Sequence, residues 1–81
     1  MDKRAARNII WIRAIDRHDA DRSILSPEVR ARAAATAEDA ELEPGERQAR
    51  QAGKLMEAIT EKHPEMAELD ARFKWPWWLS P

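Results

Sequence analysis

The sequence predicts an all-α fold: a small bundle of three to four short helices followed by an extended C-terminal tail rich in tryptophan and proline. Three observations carry that reading. Between Glu46 and Phe73 the apolar residues Ala49, Ala52, Met56, Ile59, Met66, Leu69 and Phe73 recur at helical spacing. Residues 3 to 18 are rich in Ala, Arg and Ile and contain neither Gly nor Pro. Ser26-Pro27-Glu28 has the composition of a helix start, a hydroxyl able to cap free amides followed by a proline that fits the first turn. At 81 residues the chain is expected to form one domain over residues 1–73 with the tail at 74–81. A core of that size supplies a net stability of only about 3 to 5 kcal/mol.

The first helix is expected over residues 3–18, although Ile9-Ile10-Trp11-Ile12 could also form a short strand. At 100° per residue Ala5, Ile9, Ile12 and Ile15 make one stripe, while Lys3, Arg4, Arg7, Trp11, His18 and Arg22 gather opposite it. Ile10 and Ala14 widen the apolar surface beyond one contact, so this helix is expected to be covered from two sides, by its own domain and by something else. Asp16 to Ser23 should end it in a turn.

A second helix is expected from Pro27 to Ala40 with Val29, Ala33, Ala37 and Ala40 inward. These side chains are small, and Arg30 and Arg32 near its start and Glu38, Asp39 and Glu41 near its end oppose the helix dipole. Fraying is expected there. Leu42 reads as a core anchor and Pro44-Gly45 as a connection, with a third helix from Glu46 to Lys62. Gly53 inside that helix costs about 1 kcal/mol relative to Ala unless another backbone comes close. His63-Pro64 either separates a fourth helix or kinks the third. The stripe on both sides of it is expected to face one interior through Met56, Ile59, Met66, Leu69 and Phe73.

Composition excludes more functions than it selects. Fourteen basic and fifteen acidic residues give a net charge of −1, which provides no global attraction to nucleic acid or anionic lipid. There is no cysteine, hence no disulfide framework or thiolate site, and a small domain without such staples reads as cytoplasmic. No apolar run suits a signal sequence or a membrane span. His18 lies among Asp16, Asp19 and Asp21, and His63 lies between Glu61 and Glu65. Neither histidine has the Glu-x-x-His or His-x-x-x-His spacing of a metal site, so the chain is read as non-catalytic, without metal or cofactor.

The tail, Lys74-Trp75-Pro76-Trp77-Trp78-Leu79-Ser80-Pro81, is the segment least like an ordinary domain. Its tryptophans either close the core as a lid near Trp11 or dock on a partner, since Trp is enriched at binding hot spots and proline limits the entropy lost on binding. Insertion into a membrane interface has only Arg72 and Lys74 to support it. The reading that results is a helical interaction protein, an accessory subunit or an inhibitor. It would dock on a larger protein through Trp75, Trp77, Trp78, Leu79 and Trp11 and through outer helix faces. Two alternatives stand behind it. One is a nucleic-acid-associated regulator with Arg4, Arg7 and Arg22 on phosphates and Trp11 stacking, against which the neutral charge balance argues. The other is a self-associating structural protein, a homo-oligomer.

Overall fold

The computed structural model describes residues 2–79, apart from the side chain of Trp77. The fold is all-α, and among the described residues there is no strand. Five helices follow one another among the described residues: α1 (Lys3–His18), α2 (Pro27–Arg32), α3 (Ala37–Ala40), α4 (Pro44–Lys62) and α5 (Glu65–Arg72), with a 3₁₀ turn at Trp77–Leu79. The Ile9–Ile12 run is helical, not a strand. Asp2 starts α1, its carboxylate accepting from the Ala5 amide at 2.7 Å.

α4 is the central element: it touches α1, α2, α3 and α5. Its buried side chains are Ala52, Leu55, Met56, Ala58 and Ile59, and the last four form one core with Ile15 of α1, Leu25 of the α1–α2 loop, Val29 and Ala33 of the α2 segment and Met66 of α5. Trp11, Ile12 and Ile24 pack against this cluster from its edge. At Gly53 an added Cβ would meet nothing nearer than the Asn8 side chain at 3.9 Å, so no backbone approach requires glycine there.

The α1–α2 loop is organised by Asp19, a buried carboxylate. It accepts from the amides of Ser23, Ile24 and Leu25, the last at 2.7 Å. Arg22 takes a left-handed backbone, φ 58°, to let the chain turn back. With its amides satisfied in this way, Leu25 enters the core fully buried.

Before the tail, the structure departs from the sequence reading in three places. The helix expected over Pro27–Ala40 is two helices, because Thr36 and Asp39 form a capping box that starts a new one: Asp39 Oδ2 accepts from the Thr36 amide at 2.9 Å and Thr36 Oγ1 from the Asp39 amide at 3.3 Å. Asp39 is therefore buried in that segment, while Ala37 and Ala40, expected inside, are exposed and Leu42 is only half-buried. α4 begins at Pro44, not at Glu46, with the proline in the first turn as in α2.

The third departure concerns the long stripe. Ile59 is 0% exposed and Met56 and Met66 are buried, but Leu69 is 46% and Phe73 50% exposed. The turn at His63–Pro64 ends α4 and restarts the helix, and α5 then directs Met66 and Asp70 toward α1, which carries Leu69 and Phe73 outward. Replacing Ile59 with Ala is expected to cost about 2 to 5 kcal/mol in denaturant unfolding, and a loss below about 1 kcal/mol would show that the α1–α4 interface is not the main core.

Candidate functional site

The tail and the N-terminal half of α1 meet around one carboxylate. Asp70, on the inner side of α5, accepts from Trp11 Nε1–H at 2.5 Å and from Arg7 Nη2–H at 2.9 Å. Arg7 and Trp11 are one turn apart on α1, so a single carboxylate with two oxygens can hold both. The Arg7 guanidinium also lies 4.9 Å from the centroid of the Trp75 ring. Trp11, Phe73 and Trp75 form a three-ring cluster with edge-on contacts at 5.3, 5.8 and 4.7 Å between centroids. α1 thus packs on α4 and on the turn at Trp77–Leu79, and it is tied to α5 through the Asp70 carboxylate, while Ile10 stays 40% exposed.

The tail is not extended throughout. The Leu79 amide donates to the Pro76 carbonyl at 2.8 Å, closing the 3₁₀ turn, and this turn brings Leu79 back against α1. Leu79 is 3% exposed and Trp75 half-buried, whereas Trp78 between them in sequence is 53% exposed. The side chain of Trp77 lies outside the described residues. Of the residues proposed from sequence for docking, then, Trp78 is displayed, Trp11 and Trp75 take part in the ring cluster, and Leu79 is buried in this chain.

The proposed basic contacts are dispersed. Arg4 is exposed near the start of α1, Arg7 is bound to Asp70, and Arg22 pairs with Asp16 at 2.9 Å at the other end of the helix. An open cleft of about 940 Å³ lies between the first half of α1, α4, α5 and Leu79, with Lys3, Arg4, Met56 and Met66 in its lining. His18 is exposed at the end of α1, beside an Asp16 already engaged by Arg22 and an Asp19 whose oxygens accept loop amides. Among the described residues, no group of three His, Cys, Asp or Glu side chains could hold a metal ion, and no helix is long and apolar enough to cross a membrane.

A second buried carboxylate fixes α3 on α4. Asp39 receives Lys54 Nζ at 2.5 Å and lies 2.8 Å from Arg50 Nε. The Lys54 hydrogen bond, followed by the Thr36 amide, outweighs the effect of burial and holds the Asp39 carboxyl well below its ordinary range, at about 2. Lys62, 2.6 Å away, likewise lowers Glu28 and ties α4 to α2. At Asp19 burial pushes the carboxyl up, but the amides of Leu25, Ile24 and Ser23 and the Ser23 hydroxyl together bring it below its ordinary value.

Asp70 was not legible as a site from sequence. A signal existed in the Arg7–Trp11 pair, whose donors on one helical face need an acceptor, but nothing in the spacing names which acid supplies it. No protein-family model, curated protein or solved structure matches the chain.

The Asp39 geometry gives a pH dependence whose sign is fixed. Its folded-state pKa is depressed from 3.8 to about 2, so the stability it contributes is present above pH 4 or so and is lost as pH falls toward 2. Melting temperatures taken from pH 5 to pH 2 should fall, and Asp39→Asn should lower the melting temperature at pH 5 while flattening that fall. A variant with the wild-type slope would show that Asp39 is not a source of the acid sensitivity.

Proposed function

We propose that the chain is a non-catalytic helical interaction protein, an accessory subunit or inhibitor, that docks on a larger protein through Trp78 at the end of its tail. One observation carries this reading: Trp78 is 53% exposed while its neighbour Leu79 is 3% exposed. A large indole is displayed from a turn whose base is buried, and Trp75 adds a second attachment through its contacts with Trp11 and Phe73. A side chain presented in this way loses little conformational entropy on binding, and its apolar area and N–H donor suit a partner pocket that is apolar with a polar acceptor at its end. The absence of cysteine suits a cytoplasmic setting for this role.

The test compares affinity capture by the wild type and by Trp78→Ala from the cell that makes the protein, followed by titration of the captured partner. The substitution should weaken the complex by about 2 kcal/mol or more, close to thirtyfold, and leave the helical circular dichroism and melting temperature of the free chain unchanged. Equal affinity of the two proteins for the captured partner, or a Trp78→Ala chain that no longer folds, would refute the reading.

A further inference from the structure

The exposed ridge of α5 has a charge pattern that the docking role of Trp78 does not use. Leu69 and Phe73 stand one helical turn apart, 46% and 50% exposed, while Met66 and Asp70 of the same helix face the interior. Phe73 is braced edge-on by Trp11 and Trp75, which makes the ridge a firm apolar surface. Single exposed apolar side chains are common on proteins, but two adjacent ones on a rigid base form a patch that favours burial.

We propose that this ridge is a self-association surface, on which Leu69 and Phe73 of one copy pack against the same residues of a second copy with the two α5 helices antiparallel. The argument for a second copy is charge complementarity. The ridge is flanked by Glu65 and Glu68 toward the start of α5 and by Arg72 and Lys74 at and beyond its end. A two-fold axis near Leu69 brings the acidic start of each helix alongside the basic end of the other, and it aligns the helix dipoles favourably. A parallel arrangement would set like charges against each other. Among the described residues Arg72 pairs with Glu68 at 3.1 Å and Glu65 lies 3.4 Å from His63 Nδ1, and exposed contacts of this kind re-form across an interface at little cost. The ridge is short, so the dimer is weak and concentration-dependent.

This inference goes beyond the docking role of Trp78 and fails or holds separately from it, because Trp78→Ala leaves the ridge intact. Sedimentation velocity up to about 1 mM protein, where even a millimolar Kd populates the dimer substantially, is the test. The wild type should shift toward dimer mass as concentration rises. Glu65→Lys with Glu68→Lys gives an all-basic ridge and Arg72→Glu with Lys74→Glu an all-acidic one, and each variant alone should sediment as a monomer. Mixed in equal amounts they should recover the dimer mass as a heterodimer. Leu69→Ser, at an exposed position that leaves the core untouched, should also be monomeric with wild-type circular dichroism. A wild type that stays monomeric at about 1 mM would overturn the proposal. A charge-reversed mixture that stays monomeric, or a Leu69→Ser chain that still dimerises, would overturn it as well.

Discussion

Asp70 is the constraint on which the outer half of the molecule depends. α5 is only eight residues long and its buried apolar contribution is Met66, too little to hold so short a helix by burial alone. The carboxylate supplies the missing attachment by accepting from both Arg7 and Trp11. Its three groups are partly screened from water, with the Arg7 side chain 15% exposed and that of Asp70 33%, which puts the pair between a surface ion pair of little worth and a fully buried one with a large desolvation penalty. Beyond Asp70 the chain adds contacts with α1 that lie next to this one: the Phe73 edge on Trp11, the Trp75 ring beside Arg7, and the turn that buries Leu79 and displays Trp78.

The inner half rests on different physics. α4 is amphipathic and long enough to serve as a spine, and it gathers α1, α2 and α3 through aliphatic side chains. Yet the elements on its α2–α3 side are short and lined with alanine, and they are fastened by charge: Lys54 and Arg50 to Asp39, Lys62 to Glu28, and Arg32 to Glu61. Arg47 adds hydrogen bonds to the carbonyls of Ala40 and Leu42. A chain of 81 residues with few large apolar side chains thus substitutes side-chain tethers for core volume, and α4 carries the basic members of most of them.

Much of this was readable from residue order, where the cause is local. Ala-rich continuity without Gly or Pro places α1 over residues 3–18, and Ser26-Pro27 places the start of α2. The stripe through Ala52, Met56 and Ile59 places the buried face of α4. Thr36 and Asp39 show what propensity misses, since a run of alanines suggests one helix while a threonine three residues before an acid signals a second start. Pro44-Gly45 reads as a connection, yet the rule that places Pro27 in a first turn applies to Pro44 as well. Spacing alone puts Leu69 and Phe73 inside because it continues the stripe through His63-Pro64 unchanged, whereas a turn resets the direction that a helix faces. Which acid would meet Arg7 and Trp11 depends on a contact spanning some sixty residues, and no local pattern encodes it. The display of Trp78 beside a buried Leu79 likewise depends on the packing of the tail turn against α1, distant in sequence.

The most direct measurement of the account is amide hydrogen exchange on the wild type and on Asp70→Ala. If Asp70 is the attachment of the outer half, its loss lowers protection roughly tenfold or more in α5 and in residues 75–79 while the buried amides of α4 keep theirs. Unchanged protection in α5, or an equal loss along α1, α4 and α5, would contradict the claim that one carboxylate positions the segment on which both the docking tryptophan and the self-association ridge are carried.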